Sequence, residues 1–455
     1  RYAGRSLELC GNIKPRGMTV ENRTRLTALL AVINSKGMCF MFEKIESFVY
    51  KNFHSLYHRN YRYFFFGQVI SLIGTWIQVM AQAWLVYTIT NSPLKLGIVS
   101  AMQFLPTMIF SLFAGVIVDK LSKKKILIFT QIMAMLQAFV LFALVYMGVV
   151  VYWHVVLLAF ILGCTNSLDM PARQAYVIEL VGRKDLVNAV GLNSAIFNTA
   201  RIVGPAIAGI LMTGIGIEWC FFINGISFIS VIASLFMIQT THVIENKKLK
   251  ASSILSEIVD GLNYIYKNPV LFKTSLIILF VTIVSFNYNV LIPVFAKTVL
   301  GLKEKGFGIL LSSLGVGSLI GAVSVSILGG SNPKPRTLMF SSFFLGLCFV
   351  VLGFTRNIYS SSLFIALCGI FNLWFFTVAN SVLQLNSSDE YRGRVMGVYT
   401  VVFAGASPIG NFISGYIAEE AGAPITFTAI GIIMSISMFV LFTSIKLSNK
   451  YLQRI

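Results

Sequence analysis

The stretch Gly115–Lys125, GVIVDKLSKKK, holds one acid and four lysines between two long apolar runs. The chain around it has a mean hydropathy of +0.79, and only 12% of its residues are charged. In so apolar a chain, a charged cluster of this kind marks a place where the polypeptide leaves a bilayer. The stretch therefore predicts a short loop between two membrane spans.

Composition places the rest of the chain in a membrane as well. Of the 455 residues, 56% are hydrophobic, whereas soluble domains are about 45–50% apolar and about 25% charged. A span needs about 20 apolar residues in a helix, because only a helix satisfies its own backbone groups in lipid. Twelve such runs are predicted, at 63–89, 95–118, 126–147, 152–170, 188–213, 219–238, 270–296, 307–328, 337–355, 358–384, 395–417 and 424–445.

The net charge of +19 invites a nucleic-acid partner, but the distribution of the charge argues against one. With an even number of spans and both termini in the cytoplasm, most of the 36 Lys and Arg fall in cytoplasmic segments. This asymmetry is the positive-inside signal that sets membrane topology. We therefore expect the basic excess to face anionic lipid, with both termini cytoplasmic and no nucleic-acid partner.

Signatures of catalysis and of metal binding are missing from the sequence. The six cysteines form no C-x-x-C pair, and the four histidines are scattered. No Walker lysine motif, H-E-x-x-H motif or nucleophile elbow occurs. We expect neither enzyme activity nor a metal site nor a cofactor.

Polarity divides the chain into four parts. Residues 1–40 are polar and basic and are predicted to be a disordered extension. Six spans follow within 41–238, and six more lie within 270–455. Between them, 239–269 is a long polar interruption in which SILSEIVDGLNYIY has a helical apolar period. This linker is predicted to carry an amphipathic cytoplasmic helix.

The opening stretch resembles the loop signature of the major facilitator superfamily, G-x-x-x-D-R-x-G-R-R/K-R/K, which joins the second and third helices. Here Lys120 replaces the first Arg, Ser122 replaces the inner Gly, and Lys123, Lys124 and Lys125 supply the terminal bases. The two halves also resemble each other, because 182–209 and 387–415 both run from a charged entry into a small-residue helix with a late proline. The resemblance implies an all-α membrane protein with twelve transmembrane helices in two pseudo-symmetric six-helix bundles.

A resemblance to one branch of the superfamily is found in residues 169–209, DMPARQAYVIELVGRKDLVNAVGLNSAIFNTARIVGPAIAG. This run resembles the branch that contains the enterobactin exporter and the macrolide-efflux proteins. Gly204, Pro205 and Gly209 also resemble the antiporter signature of the fifth helix. The resemblance implies proton-coupled efflux of a siderophore or a drug, by a monomer in a bacterial plasma (inner) membrane.

Polar residues inside the predicted spans are candidates for a substrate cavity. Arg201 lies about 20 Å into the fifth span at about 1.5 Å per residue, and a charge at that depth should face a cavity or a partner. Helical spacing places Asn198 on the same face. The other candidates are amides and one aromatic residue: Gln78 and Gln82 in the first span, and Trp374, Asn380 and Gln384 in the tenth. The alternative is that these amides join helices to one another.

A second group of charges lies at the predicted cytoplasmic rim and is assigned to gating: Asp119, Lys120, Lys124, Asp169, Arg173 and Arg394. In the superfamily the loop Asp latches the outward-facing state against basic residues and the amino end of the eleventh helix, which here begins near Arg394. The alternative is that Asp119 and its lysines only set topology. Asp169 precedes Arg173 by four residues, so the two are able to pair along a helix; Asp169 is also a candidate for proton coupling or a counter-charge for Arg201.

Three functions follow from these observations. The first is secondary active export of an amphipathic small molecule by alternating access. The second is movement of a lipid or lysolipid, which requires a lateral opening. The third is a membrane scaffold or sensor that keeps the fold without transporting anything.

Overall fold

A computed structural model of the chain describes residues 53–239, 251–285, 287–328, 335–388 and 390–452. All regular elements in these ranges are helices. The predicted extension, 1–40, and residues 240–250 of the predicted linker lie outside the described residues.

Six helices form the first half, after a short 3-10 helix at His54–Tyr57. They are α1 (Arg59–Thr90), α2 (Pro93–Lys120), α3 (Lys123–Tyr146), α4 (Tyr152–Gly182), α5 (Lys184–Gly214) and α6 (Glu218–Met237). The chain turns from α4 into α5 at Gly182, whose φ of 72° lies in the left-handed region that favours glycine.

The second half begins after α7 (Ala251–Lys267), which lies in the predicted linker. Its helices are α8 (Pro269–Ser285), α9 (Tyr288–Thr298), α10 (Glu304–Leu328), α11 (Pro335–Phe354), α12 (Ile358–Leu385) and α13 (Arg392–Leu452). The long α13 bends at Gly422, where φ is 80°. Helices α8 and α9 together make one apolar stretch, Pro269–Thr298, and Gly422 divides the long apolar stretch of α13, Arg392–Thr443, into two arms. With the two arms of α13 counted separately, the described helices supply the twelve crossings that hydropathy predicts.

Two spans differ from the prediction in their bounds. The fourth continues past the predicted end at 170 and past Pro171 to Gly182. A proline removes one backbone hydrogen bond from a helix, but Ala172 and Tyr176 just beyond it are fully buried, so tertiary packing supports this turn. The seventh span is divided between α8 and α9, and the fully buried Asn287 at the break bonds Ser414 of α13.

Each half packs mainly on itself, and two helix pairs make most of the contacts between the halves: α2 with α13, and α5 with α10. We call the end that carries Lys123, Lys124 and Lys125 the lysine end, which the sequence predicts to be cytoplasmic. The opposite end, where α1 finishes and α10 begins, is called the far end.

Candidate substrate site between the two halves

Polar contacts join the two halves at the far end. The hydroxyl of Ser92 donates to the carboxylate of Glu419 at 2.8 Å, and the backbone N–H of Leu94 donates to the same oxygen at 3.2 Å. Nearby, Lys297 Nζ donates to Asn91 Oδ1 at 2.9 Å. Each contact crosses from one half to the other, so the far end is closed.

Close helix packing continues this closure towards the centre. Trp84 Nε1 donates to Glu304 at 3.1 Å, and its ring stacks on Phe307 with the centroids 5.3 Å apart. A Cβ placed on Gly308 would lie 2.8 Å from the carbonyl oxygen of Pro205, across the contact between α10 and α5. Two helices can approach each other so closely only where glycine, which has no side chain, lies at the contact.

Three glycines near the lysine end have free space beside them. A Cβ placed on Gly393 or Gly397, at the start of α13, would meet no other atom within 4 Å. The same holds for Gly191 near the start of α5. Contacts between the halves therefore close the far end, whereas these three glycines at the lysine end have free space beside them.

Arg201 lies between these two regions, on α5. Its guanidinium carbon is 5.7 Å from the centre of the Trp76 ring, and Trp76 makes an edge contact with Phe197 at 5.7 Å. The arginine side chain is half-buried. No carboxylate in the described part of the chain lies within ion-pair distance of it.

This environment can attract an anion. An arginine keeps its proton at any ordinary pH, and its planar fork is suited to two parallel hydrogen bonds with a carboxylate. Aromatic faces beside the guanidinium provide apolar surface and a cation–π contact. The arrangement therefore fits a ligand that combines an anionic group with an apolar body.

Gln78 does not join this region. Its side-chain oxygen accepts from Asn224 Nδ2 at 2.7 Å, and its side-chain nitrogen donates to Gln137 Oε1 at 2.9 Å. Both partners belong to the first half, and all three amides are buried. The interpretation of Gln78 as a cavity residue is corrected to the alternative, in which an amide joins α1, α3 and α6.

The other cavity candidates differ in exposure. Asn198 is half-buried and donates to the Ser194 carbonyl within α5, and Gln82 is buried. On α12, Gln384 is exposed and bonds the half-buried Asn380. These four remain predictions.

Trp374 is occupied within the second half. Its Nε1 donates to Ser324 Oγ of α10 at 2.7 Å, which ties α12 to α10. The indole ring remains half-buried, so its contribution to a cavity also remains a prediction.

Asp169 is the centre of a buried charge network. Its carboxylate accepts from Thr130 Oγ1 and Gln131 Nε2, both at 2.8 Å, and pairs with Arg173 through Nε at 3.0 Å and through Nη2. The predicted pairing of Asp169 with Arg173 is therefore present. The suggestion that Asp169 is the counter-charge of Arg201 is wrong, because its acceptor oxygens are already shared among α3 and α4.

The predicted gating residues have separate surroundings at the lysine end. Lys124 Nζ donates to the carbonyl of Ile238, just after α6, at 2.8 Å. Arg394 lies over the Tyr391 ring at 5.0 Å. The side chains of Asp119 and Lys120 lie outside the described part of the structure, so the latch itself remains a prediction.

The linker helix α7 docks beside Arg394. Tyr264 of α7 stacks on Tyr391 with the ring centroids 4.4 Å apart, and its hydroxyl accepts from the backbone N–H of Ser388 at 3.1 Å. Hydrogen bonding with Ser388 lowers the pKa of Tyr264. The linker is thus attached to the start of α13, the helix that the latch would engage.

The antiporter-like glycines and proline form a packing junction. A Cβ on Gly204 would lie 2.5 Å from Trp76 Cβ of α1, and one on Gly209 would lie 3.3 Å from the Glu304 carbonyl of α10. Through this motif α5 packs closely against both halves at once. Its role in transport remains a prediction.

Sequence reasoning missed Trp76 and Phe197 near Arg201. Phe197 precedes Arg201 by four residues, so helical spacing alone would have found it. No comparable signal exists for Trp76, because it reaches the arginine from α1.

Two groups of six crossings, joined at the far end and with a basic residue midway along α5, define a membrane transporter of the major facilitator superfamily. Within it, the chain belongs to the family described as transmembrane secretion effector, whose model matches residues 51–451. This family and its relatives are transporters and not enzymes.

Curated relatives support the efflux branch. The chain is 28% identical over 393 residues to the staphyloferrin A transporter of Staphylococcus aureus (strain NCTC 8325 / PS 47), covering 86% of this chain and 97% of that protein. It is 26% identical to the multidrug efflux pump Tap of Mycolicibacterium fortuitum, covering 81% and 91%. It is 25% identical to macrolide efflux protein A of Streptococcus pyogenes, covering 78% and 88%.

Solved structures support the fold alone. The nucleoside transporter NupG superposes with a TM-score of 0.67 at 11% identity, covering 84% of this chain and 99% of that one. A bacterial homologue of the human lysosomal transporter Spinster superposes with a TM-score of 0.67 at 12% identity, covering 84% and 96%.

Proposed function

We propose that this transporter exports an amphipathic organic anion, such as a siderophore or an acidic drug, across a bacterial inner membrane in exchange for protons. One observation carries the proposal: Arg201 lies between the halves, half-exposed, beside aromatic rings and without a described carboxylate partner. A cation within a membrane span is costly when it has no counter-ion. A substrate anion would offset this cost each time it binds.

The cycle would use the closure at the far end as its outer gate. With that gate closed and the lysine end open, the substrate would reach Arg201 from the cytoplasm. Export then requires the contacts of Glu419 and Lys297 to break while the lysine end closes. Both termini are placed in the cytoplasm by this proposal, and the unit that works is a monomer.

Proton coupling would involve the network around Asp169. Protonation of this carboxylate would remove the charge that holds Arg173 and would turn one acceptor into a donor. Arg173 would then be free to engage another acid, for which Asp119 at the end of α2 is the proposed partner. In this way a proton would favour one of the two arrangements of the lysine end.

Reconstituted vesicles test the proposal directly. Purified protein is placed in liposomes with an imposed pH gradient, and flux is compared among an anionic siderophore, a neutral macrolide and a fluorescent phospholipid. We expect gradient-dependent flux of the anionic amphiphile that stops when a protonophore collapses the gradient.

The other outcomes favour the alternatives. Flux of the phospholipid alone would support a lipid mover. Absence of flux for all three, together with stable binding to another membrane protein, would support a scaffold. Flux that continues unchanged without a gradient would contradict proton coupling and leave a facilitator.

A further inference from the structure

We propose that a cleft between α5 and α10 binds an anionic phospholipid from the leaflet at the far end. The cleft has a volume of about 370 Å³ and is lined by Ala206 and Ile210 of α5, by Lys305, Ile309 and Val316 of α10, and by Ala366 of α12. It lies on the contact between the two halves, so both halves contribute to its walls.

The walls of the cleft offer apolar surface to the bilayer. The exposed fractions of Ile210, Ile309 and Val316 are 63%, 45% and 43%, and all three lie on membrane-crossing helices. The two serines in the lining are already bonded, because Ser312 Oγ donates to the Ile202 carbonyl and Ser313 Oγ to the Ile309 carbonyl. The surface below the mouth therefore suits a hydrocarbon chain.

One charge stands at the mouth of the cleft. Lys305 is exposed and forms no ion pair with any carboxylate in the described part of the chain. Its neighbour Glu304 accepts from Trp84, towards the interior. A free ammonium above an apolar channel complements a lipid phosphate above its acyl chain, and this charge favours a lipid with net negative charge.

The length of the cleft matches one leaflet. Lys305 is the second residue of α10, and Val316 lies about 16 Å further along the helix at about 1.5 Å per residue. Half of a typical hydrocarbon core is about 15 Å. A lipid whose phosphate lies at Lys305 would thus place its acyl chain beside Ile309 and Val316 along the full depth of that leaflet.

Because the walls of the cleft belong to both halves, a bound lipid would stabilise the arrangement that is closed at the far end.

Native mass spectrometry of the full chain in detergent tests the site. The protein is titrated with phosphatidylglycerol and with phosphatidylcholine of identical acyl chains. We expect tighter retention of phosphatidylglycerol. Lys305→Ala should weaken it about fivefold, the effect of about one surface charge on an anionic lipid, and should leave phosphatidylcholine unchanged.

Matched variants keep the test specific. Lys303→Ala removes an exposed lysine two residues away that does not line the cleft, and it should bind both lipids like the parent. Ala206→Phe fills the apolar wall and should weaken both lipids. Melting temperatures of all variants control for folding.

Three results would overturn the proposal: equal loss of phosphatidylglycerol in Lys303→Ala and Lys305→Ala, unchanged retention in folded Lys305→Ala, or displacement of the lipid by millimolar inorganic phosphate. The last would show that the lysine binds phosphate without the cleft. None of these measurements depends on flux, so their outcome is separate from that of the exporter proposal.

Discussion

Replacing Gly415 by alanine should open the far end. A Cβ at Gly415 would lie 2.8 Å from the carbonyl oxygen of Pro93 and 3.2 Å from the Cα of Gly97. Both atoms belong to the backbone of α2, so no side-chain rotation can make room. The added methyl group can be accommodated only if α13 and α2 move apart, and this is the movement that the outward-open arrangement requires.

The size of the effect follows from two opposing terms. Overpacking of a tight contact costs about 1–3 kcal/mol, and glycine to alanine within a helix gains about 1 kcal/mol. Gly397→Ala, on the same helix, brings the gain in helix propensity without the cost of overpacking, because its Cβ would meet nothing within 4 Å. The two variants should therefore differ by about 1–3 kcal/mol, or about 5- to 150-fold in the ratio of open to closed far ends.

Spin labels across the gate measure this ratio. Lys95 and Glu420 are both exposed at the far end, one in each half, and cysteines there can carry labels in a background without the native cysteines. Double electron–electron resonance should show a larger long-distance population in Gly415→Ala than in Gly397→Ala. An unchanged distance distribution in folded Gly415→Ala protein would refute the reasoning, because the clash would then be absorbed without opening.

Three further predictions concern charged residues. Arg201→Lys should fold normally and bind the substrate about tenfold more weakly by calorimetry, because lysine keeps the charge but loses the planar fork; unaltered affinity and rate would remove Arg201 from the site. Asp119→Asn should express normally and lose most transport, with cysteine accessibility rising at the lysine end, whereas normal flux would leave only a topology signal. Asp169→Asn should lower the melting temperature by destabilising the protein about 1–3 kcal/mol, because Arg173 is left without its charge partner; a parental melting curve would contradict a structural role for the network.

Hydropathy was sufficient for the crossings because the preference of a segment for lipid depends on its own residues. It was insufficient at the fourth span, which was predicted to end at 170 but continues to Gly182. The helix continues there because Tyr176 and its neighbours pack into the first half, and this packing involves residues that are distant in sequence.

For the polar residues too, the sequence predicted contacts along one helix but not contacts between helices. Spacing along one helix correctly paired Asp169 with Arg173, because both belong to α4. It could not decide between the two interpretations of Gln78, because its partners Gln137 and Asn224 lie on α3 and α6. Which way a glutamine on a membrane helix points depends on the rotation of that helix, and neighbouring helices set the rotation.

The sequence by itself thus determined the membrane class, the twelve crossings, the basic loop after the second span and the presence of a deep arginine. Only the tertiary structure decided that Trp76 lies beside this arginine, that Glu419 and Lys297 close the far end, and that a cleft lies beside Lys305. The physical reason is that hydropathy and helical period are local properties of the chain. Contacts between α2 and α13 or between α5 and α10 exist only after both halves have folded and met.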